Sequence, residues 1–218
     1  CGGDIMADLF VQPLMETLYM VLFSTIFSVL LGFPLGVLLV VTEKGNIWEQ
    51  PLLNKILNGI INALRSFPFL ILMILLFPLS KLIVGTRIGT TATIIPLSIA
   101  AAPFVARVME SSFKEVDKGV IELSLSMGAS IPQIIFKVLI PEAMPSIILG
   151  ITLTIINLIG YSAMAGALGG GGLGDLAIRF GYYGFKTDVM IYSVLIIVFL
   201  VQSIQFLGNK LSTSINKK

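Results

Sequence analysis

The chain has 218 residues, 56% of them hydrophobic and 12% charged, with a formal net charge of +2. Soluble domains carry roughly a quarter charged residues, so about half the usual charge is missing, and the near-neutral balance favours neither nucleic acid nor an acidic substrate as partner. With no histidine and one cysteine, the usual zinc and Cys–His sites, a Ser–His–Asp triad and an internal disulfide are excluded.

Cys1-Gly-Gly reads as an incomplete start, with a processed, lipid-anchored cysteine as the sharper alternative. The absence of cations ahead of the first apolar run argues against a cleaved signal peptide, which carries a positive n-region. Charge-free runs then follow at Thr17–Thr42, Ser66–Ser80, Ile88–Ala106, Ala143–Gly174 and Val189–Asn209. A helix needs ~20 apolar residues to cross a bilayer core. These runs therefore predict five transmembrane helices, approximately 14–42, 56–80, 88–107, 143–168 and 189–208, in one all-α integral membrane domain over 1–218. The second run is short, but its apolar pattern extends back through Ile56, Leu57, Ile60 and Ile61. That predicts one tilted helix with an amphipathic approach and Arg65 near the interface. In the first span, Gly32 and Gly36 permit close helix approach, and Pro34 between them loosens the same helix.

Between the third and fourth runs lies a polar loop, 108–142. Glu110–Glu115 continues the third helix, and Val120–Met127 is rich in helix formers. Gly128 stands where a left-handed C-terminal cap belongs. Ser130-Ile-Pro-Gln133 matches a capping box with proline tolerated in the first turn, predicting a second short helix, Ile131–Leu139, that stops before Pro141. On the first of these helices Ile121 and Leu125, and Leu123 and Met127, fall four apart. Apolar side chains thus face more than one way, too many for a short helix in water, and the helix wants a groove.

Lys and Arg set the orientation. Ten of them lie in the first and third loops and the tail, including Lys44, Lys55, Lys114, Lys137, Lys210, Lys217 and Lys218; four, Lys81, Arg87, Arg179 and Lys186, lie on the other side. The larger group is expected in the cytoplasm, with the N-terminus outside and the C-terminus inside.

Glu122-Leu-Ser-x-x-x-Gly128, nine residues, then Val138-Leu-Ile-Pro141 resembles the EAA loop of ATP-binding-cassette importer permeases, Glu-Ala-Ala, three residues, Gly, nine residues, Ile-x-Leu-Pro. Leu123 and Ser124 replace the alanines, and Val138 and Ile140 the Ile and Leu. Within that family, Asn62-x-x-Arg65-Ser66-x-Pro68-Phe69, Ile83-Val-Gly-Thr86 and Ala102-Pro-Phe-Val-Ala-Arg107 are similar to the methionine-importer permeases. So are Pro141-Glu-Ala-Met-Pro145 and Gly160-Tyr-Ser-Ala-Met-Ala-Gly166 running into Gly171-Gly-Leu-Gly174. The resemblance spans nearly the whole chain. It implies a type I importer fold whose cytoplasmic coupling helix seats in an ATPase subunit through Glu122, Leu123, Ser124, Gly128 and Pro141. It also implies a second permease copy, two cytoplasmic ATPase subunits that hold ATP and Mg, an external methionine-binding protein, and a bacterial cytoplasmic membrane as location. No cofactor, metal or catalytic residue is expected on this chain, and no nucleic-acid partner.

Pore or gate candidates come from the fourth span: Asn157, Tyr161, Ser162 and Met164, packing being the other reading of each. Every carboxylate lies at or beyond a span end, so no proton relay of the kind used by ion-coupled carriers is evident, and no Arg or Asp pair is placed to clamp a zwitterion. Gly169-Gly-Gly-Gly-Leu-Gly174 fits the dinucleotide fingerprint literally but lacks its strand–turn–helix setting. Another amino acid or small solute as cargo, an ATP-independent transporter, a membrane scaffold without a pore, and an intramembrane Ser–Lys enzyme stand as the rival readings.

Overall fold

The computed structural model describes residues 2–216, with side chains from Leu9 onward; Cys1, Lys217 and Lys218, and the readings placed on them, lie outside it. Every regular element among the described residues is a helix. In order it forms α1 (Gly2–Val41), α2 (Pro51–Arg65), α3 (Phe69–Val84), α4 (Thr90–Lys114), α5 (Lys118–Ser126), α6 (Ile131–Ile134), α7 (Ile140–Gly166), α8 (Gly172–Leu176) and α9 (Thr187–Ile215). Within the described residues, Leu9–Val41, α4, Ile131–Gly166 and α9 are each long and apolar enough to cross a membrane. The pair α2 and α3 passes the same test together, bent by 101°.

That bend replaces the single tilted helix expected over 56–80. Pro68 has no N–H to give the helix, and its ring disfavours helical geometry at Phe67. α2 therefore ends at Arg65, and α3 starts afresh with Pro68 as N-cap.

Small residues set the helix crossings. A Cβ built on Gly32 would stand 2.5 Å from the Ala102 carbonyl oxygen, and one on Gly36 2.5 Å from Met109 Cβ, so α1 lies directly on α4. Gly150 of α7 is in the same position against Val108 of α4, and Gly208 of α9 against Thr152 of α7. Ser212 donates to the Pro145 carbonyl at 2.9 Å, tying α9 to the start of α7. Three buried cores result, the smallest of them Leu39, Ile61 and Ala106 where α2 meets α1 and α4. Of the larger two, one, around Met20, Leu97, Ala101, Leu158 and Ile159, fills the half nearer the glycine run. The other, around Val40, Met109, Phe113, Ile134 and Leu139, fills the end that carries α5.

The second loop helix does not stop before Pro141. α6 passes through a π-helical turn, Ile135–Leu139, into α7, where Pro141 occupies the first turn. The N–H of Ile140 reaches back five residues to Ile135. The wider turn relieves the clash a proline ring makes with the preceding helical turn, so the helix continues.

The glycine run is a structural cap. The Gly89 N–H donates to the Gly169 carbonyl at 3.1 Å. Glu16 Oε2 accepts from the Gly172 N–H at 2.8 Å, and Thr17 Oγ1 from the Leu173 N–H at 2.9 Å. Gly166 and Gly174 leave no room for a Cβ against the backbones of Asp175 and Ala163.

Candidate coupling surface and passage

α5 is built as a projecting element. Asp117 caps it, Oδ1 accepting from the Gly119 N–H at 2.6 Å. At its other end the Gly128 N–H donates to Leu125 and the Ala129 N–H to Ser124, with Gly128 at φ +79°. These two bonds are a Schellman closure. Ser130 follows directly, and its N–H donates to Gln133 Oε1 at 2.8 Å, the reciprocal bond of a capping box. The two short helices are thus joined by a hydrogen-bonded turn of four residues, Met127–Ser130.

No residue of α5 is buried. Ile121 and Ala129 pack against the core at its root, whereas Leu123 is 62% and Met127 79% exposed. Leu125, beside Ile121, and Phe136 on the π turn are also exposed. Glu122 is exposed and borders an open groove with Leu125, Ile121 and the Glu43–Ile47 turn. Ser124 donates its hydroxyl to the Val120 carbonyl, and Pro141 is exposed on α7.

Beside this surface a charged chain links α4 to α2 and to the turn after α1. Lys114 pairs with Glu43 at 3.0 Å and with Glu110 at 2.9 Å. Glu110 pairs with Arg107 at 2.6 Å, and Arg107 Nη2 donates to Asn62 Oδ1 on α2 at 2.7 Å. The Arg107 Nε is buried without a partner. Sequence reasoning missed this chain. The spacing Arg107, Glu110, Lys114 signals its helical part, but nothing local points to Asn62 or Glu43.

The four candidates on α7 separate into two faces. Asn157 and Met164 are exposed, seven residues apart on one stripe with Gly160. Tyr161 is half-buried, its ring stacked on Phe69 at 4.5 Å. Ser162 is buried and donates to the Ile159 carbonyl at 2.8 Å, so it faces the core rather than the stripe.

The family model of the binding-protein-dependent transport system inner membrane component matches residues 32–218. The chain belongs to this family. As a member of it, the chain is a transport-system membrane component and not an enzyme, and the match takes in every helix from α2 to α9 together with the end of α1. It is 49% identical over 205 residues, 94% of this chain and 91% of the relative, to the probable D-methionine transport system permease protein MetI of Vibrio cholerae. It is 48% identical over 203 residues, 93% and 91%, to the methionine import system permease protein MetP of Bacillus subtilis. Among solved structures it is similar to a chain of the MetNI methionine ABC transporter in inward-facing conformations. That match has a TM-score of 0.96, 42% identity and coverage of 98% and 99% of the two chains. A chain of an amino acid ABC transporter crystallised with histidines shares the fold at a TM-score of 0.79 and 20% identity. The fold is accordingly that of the type I importer permeases, as the EAA-like spacing implied.

Proposed function

We propose that this chain is the membrane-spanning subunit of an ATP-driven methionine importer, working as a pair of copies with two cytoplasmic ATPase subunits. The observation that carries the reading is α5: a capped helix with no buried residue and with Leu123, Leu125 and Met127 all exposed. A groove in a partner protein would cover that surface. Glu122, Ser124, Gly128 and Pro141 set its polarity, its end and its junction with α7.

The excess of Lys and Arg on the α5 side supports a cytoplasmic position for it, with the N-terminus outside and the C-terminus inside. ATP and Mg then belong to the ATPase subunits. An external methionine-binding protein delivers cargo at the glycine-rich end, and lipid surrounds apolar faces such as Val194, Leu195, Val198 and Phe199 of α9. The passage forms where the two copies meet, lined by the α7 stripe of Asn157 and Met164. ATP binding draws the ATPase subunits together and carries the docked α5 helices with them, turning the passage from inward- to outward-facing; hydrolysis reverses it. Similarity to a methionine permease chain at 42% identity along nearly the full length supports methionine as the cargo.

Purification of the tagged chain from its own cells, followed by mass spectrometry, tests this. The expected result is an ATP-binding-cassette subunit and a binding protein holding methionine. A different bound amino acid overturns the cargo, and the absence of any ATPase overturns the class.

A further inference from the structure

The break between α2 and α3 places a cation where none was expected. Leu64, at the end of α2, lines an apolar groove with Leu31 and Leu35 of α1 and with Ile99, Ala102 and Pro103 of α4. Counted from Thr90, those α4 residues lie about 14–20 Å along the helix at 1.5 Å per residue. Thr90–Lys114 is a candidate span of 25 residues, about 37 Å at that rise, so the end of α2, and with it Arg65, meets α4 near the middle of the span. Asn157 reaches a similar depth: Gly150 packs beside Val108, and seven residues further along α7 is roughly 16 Å from the level of Thr90.

Arg65 follows Asn58 by seven residues and Asn62 by three, so the three share one face of α2. Asn62, on that face, meets α4: its Oδ1 accepts from Arg107 Nη2 at 2.7 Å. Arg107 is neutralised by Glu110. Arg65 is exposed and forms no ion pair or hydrogen bond through its side chain among the described residues. A guanidinium facing hydrocarbon at this depth is costly and calls for an anion or water. A second copy supplies no carboxylate there: none occurs in Pro51–Met109, Ala143–Gly174 or after Asp188.

We propose that Arg65 is a carboxylate-binding group halfway along the passage, taking the α-carboxylate of the amino acid in transit. This rests on the proposed import function. A planar guanidinium offers a carboxylate two parallel N–H donors, and the Phe69–Tyr161 stack, beside the break, supplies an apolar wall for a side chain.

The test uses the whole complex, with its ATPase and binding protein, reconstituted in liposomes, the chain's single cysteine replaced (Cys1→Ser). In that parent, R65Q and R65C are expected to lower methionine uptake, and methionine moved per ATP, about tenfold, with R65K falling less. Aminoethyl methanethiosulfonate, which returns a positive charge to R65C, is expected to restore uptake severalfold, and excess methionine to slow that modification. Uptake by R65Q within twofold of the parent overturns the assignment. So does an R65C thiol that the water-soluble reagent does not reach, which marks a lipid-facing group held by headgroup phosphate, or a modification rate that methionine leaves unchanged. A parent complex that moves no methionine overturns the import reading and this assignment together; a transporting parent with a fully active R65Q overturns the assignment alone.

Discussion

Gly128 holds a φ of +79° between two backbone bonds that close α5. An L-residue there costs about 1–2 kcal/mol and tilts the helix that carries Leu123 and Met127. Gly128→Val is therefore expected to leave the protein in the membrane while lowering the number of substrate molecules moved per ATP, read as uptake against phosphate release in vesicles. Glu122→Lys belongs to the same test, since its exposed carboxylate has no partner of its own among the described residues. Unchanged coupling in both would remove α5 from the energy path. On α7 the two faces predict opposite outcomes. Ser162→Ala loses only a bond to a carbonyl of its own helix and should keep transport within about twofold, a change under ~0.5 kcal/mol. Asn157→Leu, on the exposed stripe, should reduce uptake without altering thermal stability. Equal effects would mean that both residues only pack.

At the scale of elements, the charged chain Glu43–Lys114–Glu110–Arg107–Asn62 fastens the end of α1, α4 and α2 into one block above the coupling surface. Glu110 sits at its centre and is 12% exposed. Glu110→Leu strands the Arg107 guanidinium and is expected to destabilise the solubilised protein by about 1–3 kcal/mol, measured by thermal unfolding. Glu43→Leu, at the exposed end of the chain (44%), should cost about 1 kcal/mol or less. Much of this level was legible in the sequence. The Gly128 stop and the Ser130–Gln133 cap are local signals, and local bonds satisfy them. The continuation of helix past Pro141 was not, because a π turn depends on how α6 is held by Ile134 and Leu139 in the core rather than on the proline. The α2–α3 break did have a signal, the Phe67-Pro68 pair, but it was masked by the apolarity that made the run read as one span. Ser162 could not be assigned a face from its neighbours, since α7 is apolar nearly all round and offers no periodic contrast.

For the whole molecule, the glycine crossings make α1, α4, α7 and α9 a close-packed block. Gly32→Leu or Gly36→Leu inserts a side chain where a Cβ already meets α4 at 2.5 Å. Either is expected to lower the yield of folded protein in detergent, while Gly59→Leu, which meets nothing within 4 Å, should not. Against that block the broken α2–α3 pair and the protruding α5 stand at the chain's uncovered surfaces, where a second copy and an ATPase would bind. In this scheme ATP hydrolysis on a partner drives methionine inward through this chain. The most direct measurement is uptake of radiolabelled methionine into liposomes carrying the chain and its co-purified ATPase, with the loaded binding protein outside and ATP inside. Methionine should accumulate above the external concentration, and the accumulation should vanish when ATP, the ATPase or the binding protein is left out. Equilibration of methionine without ATP, or ATP hydrolysis with no accumulation, would contradict it.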